Sequence, residues 1–348
     1  MIKLIKAYFR KSLFYSKYCQ SSVNSVRYGL KNLFFYFRYF KIGKCKTCDK
    51  EERVLYFVID PKLEHPGLTD RLKVITCIYY IAKINGFQFK LVFEEPFKLS
   101  DYLDCNKVNW IGEISDISFL YPSSKMYAYN GMAKIPHLNP SVKQYICYYY
   151  TGKNILEYNQ KENWQKIWAD CFHELFKPKR FLLDNIEKYV SFPSLSYVSV
   201  HLRFVNALEH FEDGYYNSLT SENQKLLIEK CLRCLQKIKE ESVLPLLIFS
   251  DSNRFLSIVK ENGFSVLDGN VNHVSFHSDK DTILKTFIDF YMISRSKKVF
   301  RIVSKELYYT TFSYYAAIAG CCDFETIDID FCVVILGLKN VNLNNLSL

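Results

Sequence analysis

YVSVHLRF, Tyr197 to Phe204, is the stretch on which the reading of this chain turns. Val198 and Val200 alternate with Ser199, and β-branched residues dominate until the run stops at His201-Leu202-Arg203. That is the pattern of a buried strand with a polar tip. Open α/β sheets bind their ligands at the carboxyl ends of the strands. Strand side chains alternate with period two, so His201 and Arg203 share a face. An imidazole beside a guanidinium suits an anion, a phosphate above all, because arginine offers a planar fork of donors and stays charged at any working pH. The alternative is an edge arginine in a surface ion pair, with the histidine closing a loop.

Downstream, Thr220 to Glu241 reads as a long amphipathic helix with Thr220 or Ser221 as N-cap. LPLLIFSD (Leu244 to Asp251) is a second buried strand with a polar tip, and SNRFLSIVKENG is its helix. FSVLD (Phe264 to Asp268), a helix from Thr282 to Lys297, the strand KVFRIVS and a helix from Tyr308 to Gly320 complete the run. Strand and helix alternating at this spacing specify a parallel, doubly wound sheet. Upstream, RVLYFVID (Arg53 to Asp60), a helix after Gly67 and FQFKLVF form a βαβ unit. Gly67-Leu68-Thr69-Asp70 opens that helix, so its amides and dipole are able to face a ligand. Between Pro96 and Tyr150 the pattern loosens, with short strands expected at VNWIG and ISFLYP. Residues 151–190 read as a helical bridge between two α/β halves. The expected fold is α/β, with two facing Rossmann-like doubly wound domains: a basic arm (1–48), a first domain (49–185), a second domain (186–335) and a tail (336–348).

Charge separates the arm from the body. The 348 residues carry a net charge of +10. Met1 to Cys48 contains eleven Lys and Arg and no Asp or Glu, so this segment holds the whole excess. The near-neutral body argues against a nucleic-acid-binding protein. Within the arm, Leu4, Ile5, Tyr8, Phe9 and Leu13 recur at helical spacing, and Leu30, Leu33, Phe34, Phe35, Phe37 and Phe40 form an aromatic cluster. Basic amphipathic helices of this kind favour an anionic membrane surface; the alternative is packing on the protein's own body. No signal peptide or bilayer-spanning run is expected. The 12 cysteines include Cys45-x-x-Cys48 and Cys231-x-x-Cys234, but no cluster has zinc-site spacing. Reduced thiols in a cytoplasmic protein are the expectation.

Three polar tips therefore fall on one sheet edge: His201 with Arg203, Ser250 with Asp251, and Ser304 with Thr310, Thr311 and Ser313. Arg203 and the helix start at Thr311 and Ser313 suit a diphosphate. Asp251 or Asp289 suits ribose hydroxyls or the paired donors of a guanine. Each also has a structural reading: Ser250-Asp251-Ser252 as a cap, Asp289 as an exposed helix residue, Asp70 as a carboxylate holding Arg71.

The order GLTDRL, HLR, FSD, IDFYMIS and TFSYYAA, spread over residues 53–330, resembles the fucosyltransferase-type glycosyltransferases, which include bacterial α-1,2- and α-1,6-fucosyltransferases and protein O-fucosyltransferases. The resemblance implies a GT-B fold and inverting transfer from a GDP-sugar donor, without a metal or other cofactor. It implies that Arg203 contacts the donor phosphates, that His201 shapes the phosphate site, and that Asp289 reads guanine. Thr311 and Ser313 correspond to β-phosphate contacts, and Gly67 and Asp70 to the loop facing the acceptor. Three positions depart from the pattern: Thr69 stands at a usual glycine, Phe204 at a common second arginine, and Asn206 at a common aspartate. Asp70, Glu64 and His65 are the candidate general bases, alongside a transition state that needs none. The implied activity is fucosyl transfer to a glycan or lipid-linked glycan acceptor in surface polysaccharide synthesis, at the inner face of a membrane. The rival readings are a non-catalytic glycan-binding or scaffold protein of an envelope-assembly complex, and a transferase using another nucleotide-sugar.

Overall fold

The computed structural model describes residues 26, 30, 33, 36–43, 52–59, 67–189, 196–208, 218–271 and 279–331. Glu64, His65, most of the basic arm with Cys45 and Cys48, and the tail lie outside them. The chain divides into two compact units, Met1–Lys177 and Pro178–Leu348. The division comes earlier than the expected 185/186, because the last helix of the bridge, Arg180–Tyr189, packs on a helix of the second unit.

The first unit is built on four parallel strands: β1 (Val54–Ile59), β2 (Gln88–Phe93), β3 (Ser124–Tyr129) and β4 (Gln144–Tyr150), in the order β2-β1-β4-β3. Helix α1 (Leu68–Ile84) crosses from β1 to β2 and is buried almost all round, Arg71 and Lys73 included. A helix buried on every side needs this near-continuous apolar sequence. Asn85 closes it: its side-chain amide donates to the Ile81 carbonyl at 2.8 Å, and Gly86 follows at φ +68°. A left-handed residue directly after a helix is the usual role of glycine.

The loosely patterned stretch is less stranded than expected. VNWIG contributes a single bridge, Ile111 to Leu91. ISFLYP shortens to Leu120–Pro122, because the Gln144 side chain accepts from the Ser118 amide at 2.7 Å and takes it out of the ladder. The short strand pairs in parallel with Lys41–Gly43 of the arm.

The second unit carries five parallel strands: β5 (Val198–Leu202), β6 (Leu246–Ser250), β7 (Ser265–Val266), β8 (Lys298–Val303) and β9 (Asp323–Asp328). Their order is β7-β6-β5-β8-β9. This is a Rossmann half: the chain winds outward from β5 in one direction, then restarts at β8 on its other side. The opening YVSVHLRF run is therefore the central strand, and every residue of β5 is buried. Val198, Val200, Leu202 and Phe204 enter one apolar core with Ile248, Phe255, Leu235 and Ile302. His201 and Arg203 belong to the alternate face, as the period-two argument requires.

Three helices of the second unit open on side-chain caps. Thr220 Oγ1 accepts from Asn223 N at 3.3 Å and opens α4 (Ser221–Glu241). Ser252 caps α5 (Asn253–Glu261), and Asp279 caps α6 (Lys280–Ser294). Helix α7 (Phe312–Gly320) starts four positions later than expected, because Tyr308 N bonds back to Arg203 O at 2.9 Å. The eight described cysteines are free thiols, four of them buried, and Cys231 sits in the α4 core contact.

Candidate anion site on the second unit

The site grows from the point where β5, β6 and β8 end together. Beyond β5 the chain must turn sharply, and Val205 adopts φ +48°. A β-branched residue there is strained. Asp251, just past β6, holds the turn: its Oδ1 accepts from Phe204 N at 2.7 Å and its Oδ2 from Val205 N at 3.0 Å. Its carboxyl is raised above the usual range by burial, opposed by Arg203 and the two amides. Asp251 is thus already engaged by backbone, and the expectation that it takes ribose hydroxyls loses its simplest form. Ser250 Oγ likewise serves its own loop, accepting from Ser252 N at 3.2 Å.

Arg203 lies above this turn. Its Nε stands 3.6 Å from Asp251 Oδ2, too long for a hydrogen bond, and its guanidinium lies 5.0 Å over the Tyr308 ring. The side chain is 22% exposed. Among the described residues no hydrogen bond is made by the guanidinium, and Nε is buried without a partner. The fork is positioned by charge and ring contact, and no described residue accepts from its donors.

His201 is tied to the start of α7. Its Nδ1 lies 3.2 Å from Ser313 Oγ, its ring packs 5.5 Å from Phe312, and both His201 and Ser313 are buried. Burial first, then Arg203 and Arg301, push its pKa down to about 3. The imidazole is therefore neutral, and it fixes the first turn of α7 rather than adding charge. Thr311 stands at the head of that helix without a side-chain cap bond. The neighbouring Thr310 Oγ1 accepts from Phe312 N at 3.1 Å instead.

Arg301 is the residue the sequence reading missed. It pairs in register with His201 on the adjacent strand and is 4% exposed. Its guanidinium donates to Thr310 O at 2.8 Å, Tyr309 Oη at 2.6 Å and Thr326 Oγ1 at 2.9 Å, and lies 3.9 Å from the centre of the Tyr309 ring. Every partner is neutral, so the buried charge has no carboxylate among the described residues. The available signal was a lone arginine inside the otherwise buried run KVFRIV, since arginine is almost never fully buried unless paired.

Asp289 is not the exposed helix residue of the alternative reading. It is 8% exposed on α6, and Lys285 Nζ donates to it at 2.6 Å. Burial raises its carboxyl pKa, and Lys285 opposes the shift. The structure joins His201 to Ser313 and Arg203 to Asp251 directly; Asp289 is joined instead to Lys285.

In the first unit, Gly67 precedes α1 and gives it no side-chain cap, and Asp70 lies in the first turn. The carboxylate forms a close ion pair with Lys73, not with Arg71, whose guanidinium packs 5.5 Å from the Phe93 ring. Asp70 keeps a side-chain exposure of 37%. A Cβ at Gly152 would come 3.9 Å from Asp70, so the end of β4 adjoins the start of α1. Thr69 is buried with its hydroxyl unpartnered. Among the described residues no group of three or more His, Cys, Asp or Glu is placed to hold a metal ion.

No protein-family model matches the chain, and no curated protein matches it in sequence. Solved structures do share its fold. An Arabidopsis thaliana FUT1 mutant in complex with GDP superposes with a TM-score of 0.50 at 10% identity, covering 87% of this chain and 74% of that one. The α-1,6-fucosyltransferase NodZ, co-crystallised with GDP, gives 0.51 at 13% identity, covering 76% and 91%. NodZ soaked with GDP-fucose gives 0.50 at 14% identity, covering 77% and 92%. At these identities the likeness establishes the two-unit Rossmann-like fold.

Proposed function

We propose that the chain is an inverting, metal-independent glycosyltransferase that moves fucose from GDP-fucose to a glycan or lipid-linked glycan acceptor. The observation that carries this is the Arg203 guanidinium, from whose donors no described residue accepts, at the switch point of a Rossmann half. A diphosphate is the ligand such a fork fits. The fold shared with fucosyltransferase structures holding GDP or GDP-fucose gives independent support.

In this reading the acceptor hydroxyl attacks the anomeric carbon while the bond from that carbon to the phosphate oxygen breaks. The leaving GDP carries away the electron pair. Arg203 stabilises the charge growing on the diphosphate, with the amides that open α7 alongside. His201 and Arg301 fix those amides from beneath. Asp70 is the candidate base for the acceptor's proton, from the partly exposed first turn of α1. The departure at Asn206 weighs little: the residue is buried in the turn after β5, where a carboxylate would itself need a partner. The basic arm holds the enzyme at the anionic inner face of a membrane, where lipid-linked glycans are available. Among the described residues no helix is long and apolar enough to cross a membrane.

Calorimetry with GDP tests the reading. Wild type binds GDP in preference to UDP, and Arg203→Ala weakens binding by about 100-fold. Equal affinity in the two proteins removes the phosphate assignment, and preference for UDP moves the reading to another nucleotide-sugar. Slow hydrolysis of GDP-fucose without acceptor separates an enzyme from a scaffold, which releases no fucose.

A further inference from the structure

The structure distinguishes two sets of apolar residues in the arm. Val26, Leu30, Leu33 and Tyr36 to Tyr39 are helical. Tyr36 and Phe40 face the first unit: Tyr36 Oη accepts from Met126 N at 2.8 Å, its ring meets Tyr121 edge-on at 6.0 Å, and Phe40 meets Phe119 edge-on at 5.5 Å. Lys41 N then donates to Phe119 O at 2.9 Å, and Lys41–Gly43 continues as a strand paired with Leu120–Pro122. This end of the arm is a strap bonded to the body.

The other set points away. Val26, Leu30, Leu33 and Phe37 are 65%, 64%, 52% and 83% exposed, and Ile42 on the adjoining strand is 94% exposed. Their spacing of four, three and four places the helical four within an arc of about 60°. A helix that buries one flank and leaves such a stripe bare has a second surface to meet. The charge says which. The arm has eleven Lys and Arg and no acidic residue, with Arg27, Lys31 and Arg38 each next in sequence to a member of the stripe. A nucleic acid has no use for the apolar stripe, and a protein partner would have to be acidic and apolar together. An anionic lipid surface offers both complements at one depth.

We infer that Val26, Leu30, Leu33 and Phe37 form the insertion face of an amphipathic strap that docks the first unit directly onto an anionic bilayer. This rests on the membrane reading above and names its contact surface. The apolar side chains enter the acyl boundary while the neighbouring basic residues meet the headgroups.

The test is flotation of the full chain with phosphatidylcholine vesicles, with or without phosphatidylglycerol. Wild type floats with the anionic vesicles only. The double variant Leu33→Glu, Phe37→Glu loses at least about tenfold in vesicle affinity and keeps its unfolding midpoint, because both side chains are exposed. Failure of wild type to float overturns the membrane reading and the inference together. Flotation of wild type with unchanged affinity in the double variant overturns the inference alone. Sedimentation velocity adds one more outcome: a wild-type dimer that the double variant splits, with vesicle binding intact, makes the stripe a self-association surface and also overturns it.

Discussion

The two sheets meet the same geometric problem and equip it differently. Each is parallel, and each has a central strand flanked by neighbours that leave in opposite directions, β1 in the first unit and β5 in the second. Beyond β5 nearly every polar group is anchored before any ligand arrives: Asp251 on two amides, His201 on Ser313, Arg301 on three oxygens. At the start of α1, Asp70 is held by one ion pair to the buried Lys73, Thr69 is unpartnered, and Gly67 gives no cap. The difference teaches that the second unit fixes its polar groups through backbone and neighbouring strands, while the head of α1 relies on a single ion pair.

The largest expected effect falls on the lightly held side. Asp70→Asn should lower turnover about 10²–10⁴-fold, the usual contribution of a general base. GDP affinity should not change, and stability should fall by about 1–3 kcal/mol, because the substitution takes the carboxylate from the buried Lys73 ammonium. Steady-state kinetics with a thermal melt check this, and unchanged turnover would return the base to the transition state that needs none.

Asp251→Asn should act on stability. One of the two amides it holds would face the Asn side-chain NH₂, at a cost of about 2 kcal/mol. Denaturant unfolding measures the loss, and a neutral result would show that the β5 turn is not pinned as the hydrogen bonds imply.

The smallest effect is a slope. His201 has its folded-state pKa pushed down to about 3, so its contribution to stability is present above the unfolded pKa near 6.5 and is lost as pH falls toward 3. In that window the unfolded chain binds a proton that the native one refuses, so stability falls with acid by up to about 1.4 kcal/mol per pH unit. His201→Gln should flatten that part of the acid limb. An unchanged limb would mean that His201 titrates normally.

What was legible in the sequence was whatever had a period or a local partner. β5 was read from three alternating residues, and Thr220 was read as an N-cap from its position before an apolar repeat. Asp251's role was half legible: its place after a strand was plain, but its partners are backbone amides 46 and 47 residues earlier, which leave no trace in residue type. Arg301 was missed for the same reason, since its acceptors are a carbonyl and two hydroxyls that any loop supplies. The late start of α7 was equally hidden, because it follows from the tie of Tyr308 N to the backbone of Arg203. Asp289 was misjudged in its alternative reading because a carboxylate on a helix gives no sign of burial, although Lys285 four positions earlier stood in plain view.

Arg301 has a last consequence, in ionic strength. Mobile ions screen charges that they are able to approach, over about 8 Å at physiological salt. A guanidinium sealed beneath β8 and α7 lies beyond their reach, while Arg203 is partly open to them. The attraction that the second unit exerts on an anion is therefore divided into a part that salt erodes and a part that it leaves standing. Anion affinity on this unit should level off at high salt instead of falling without limit, with the plateau set by the buried charge of Arg301.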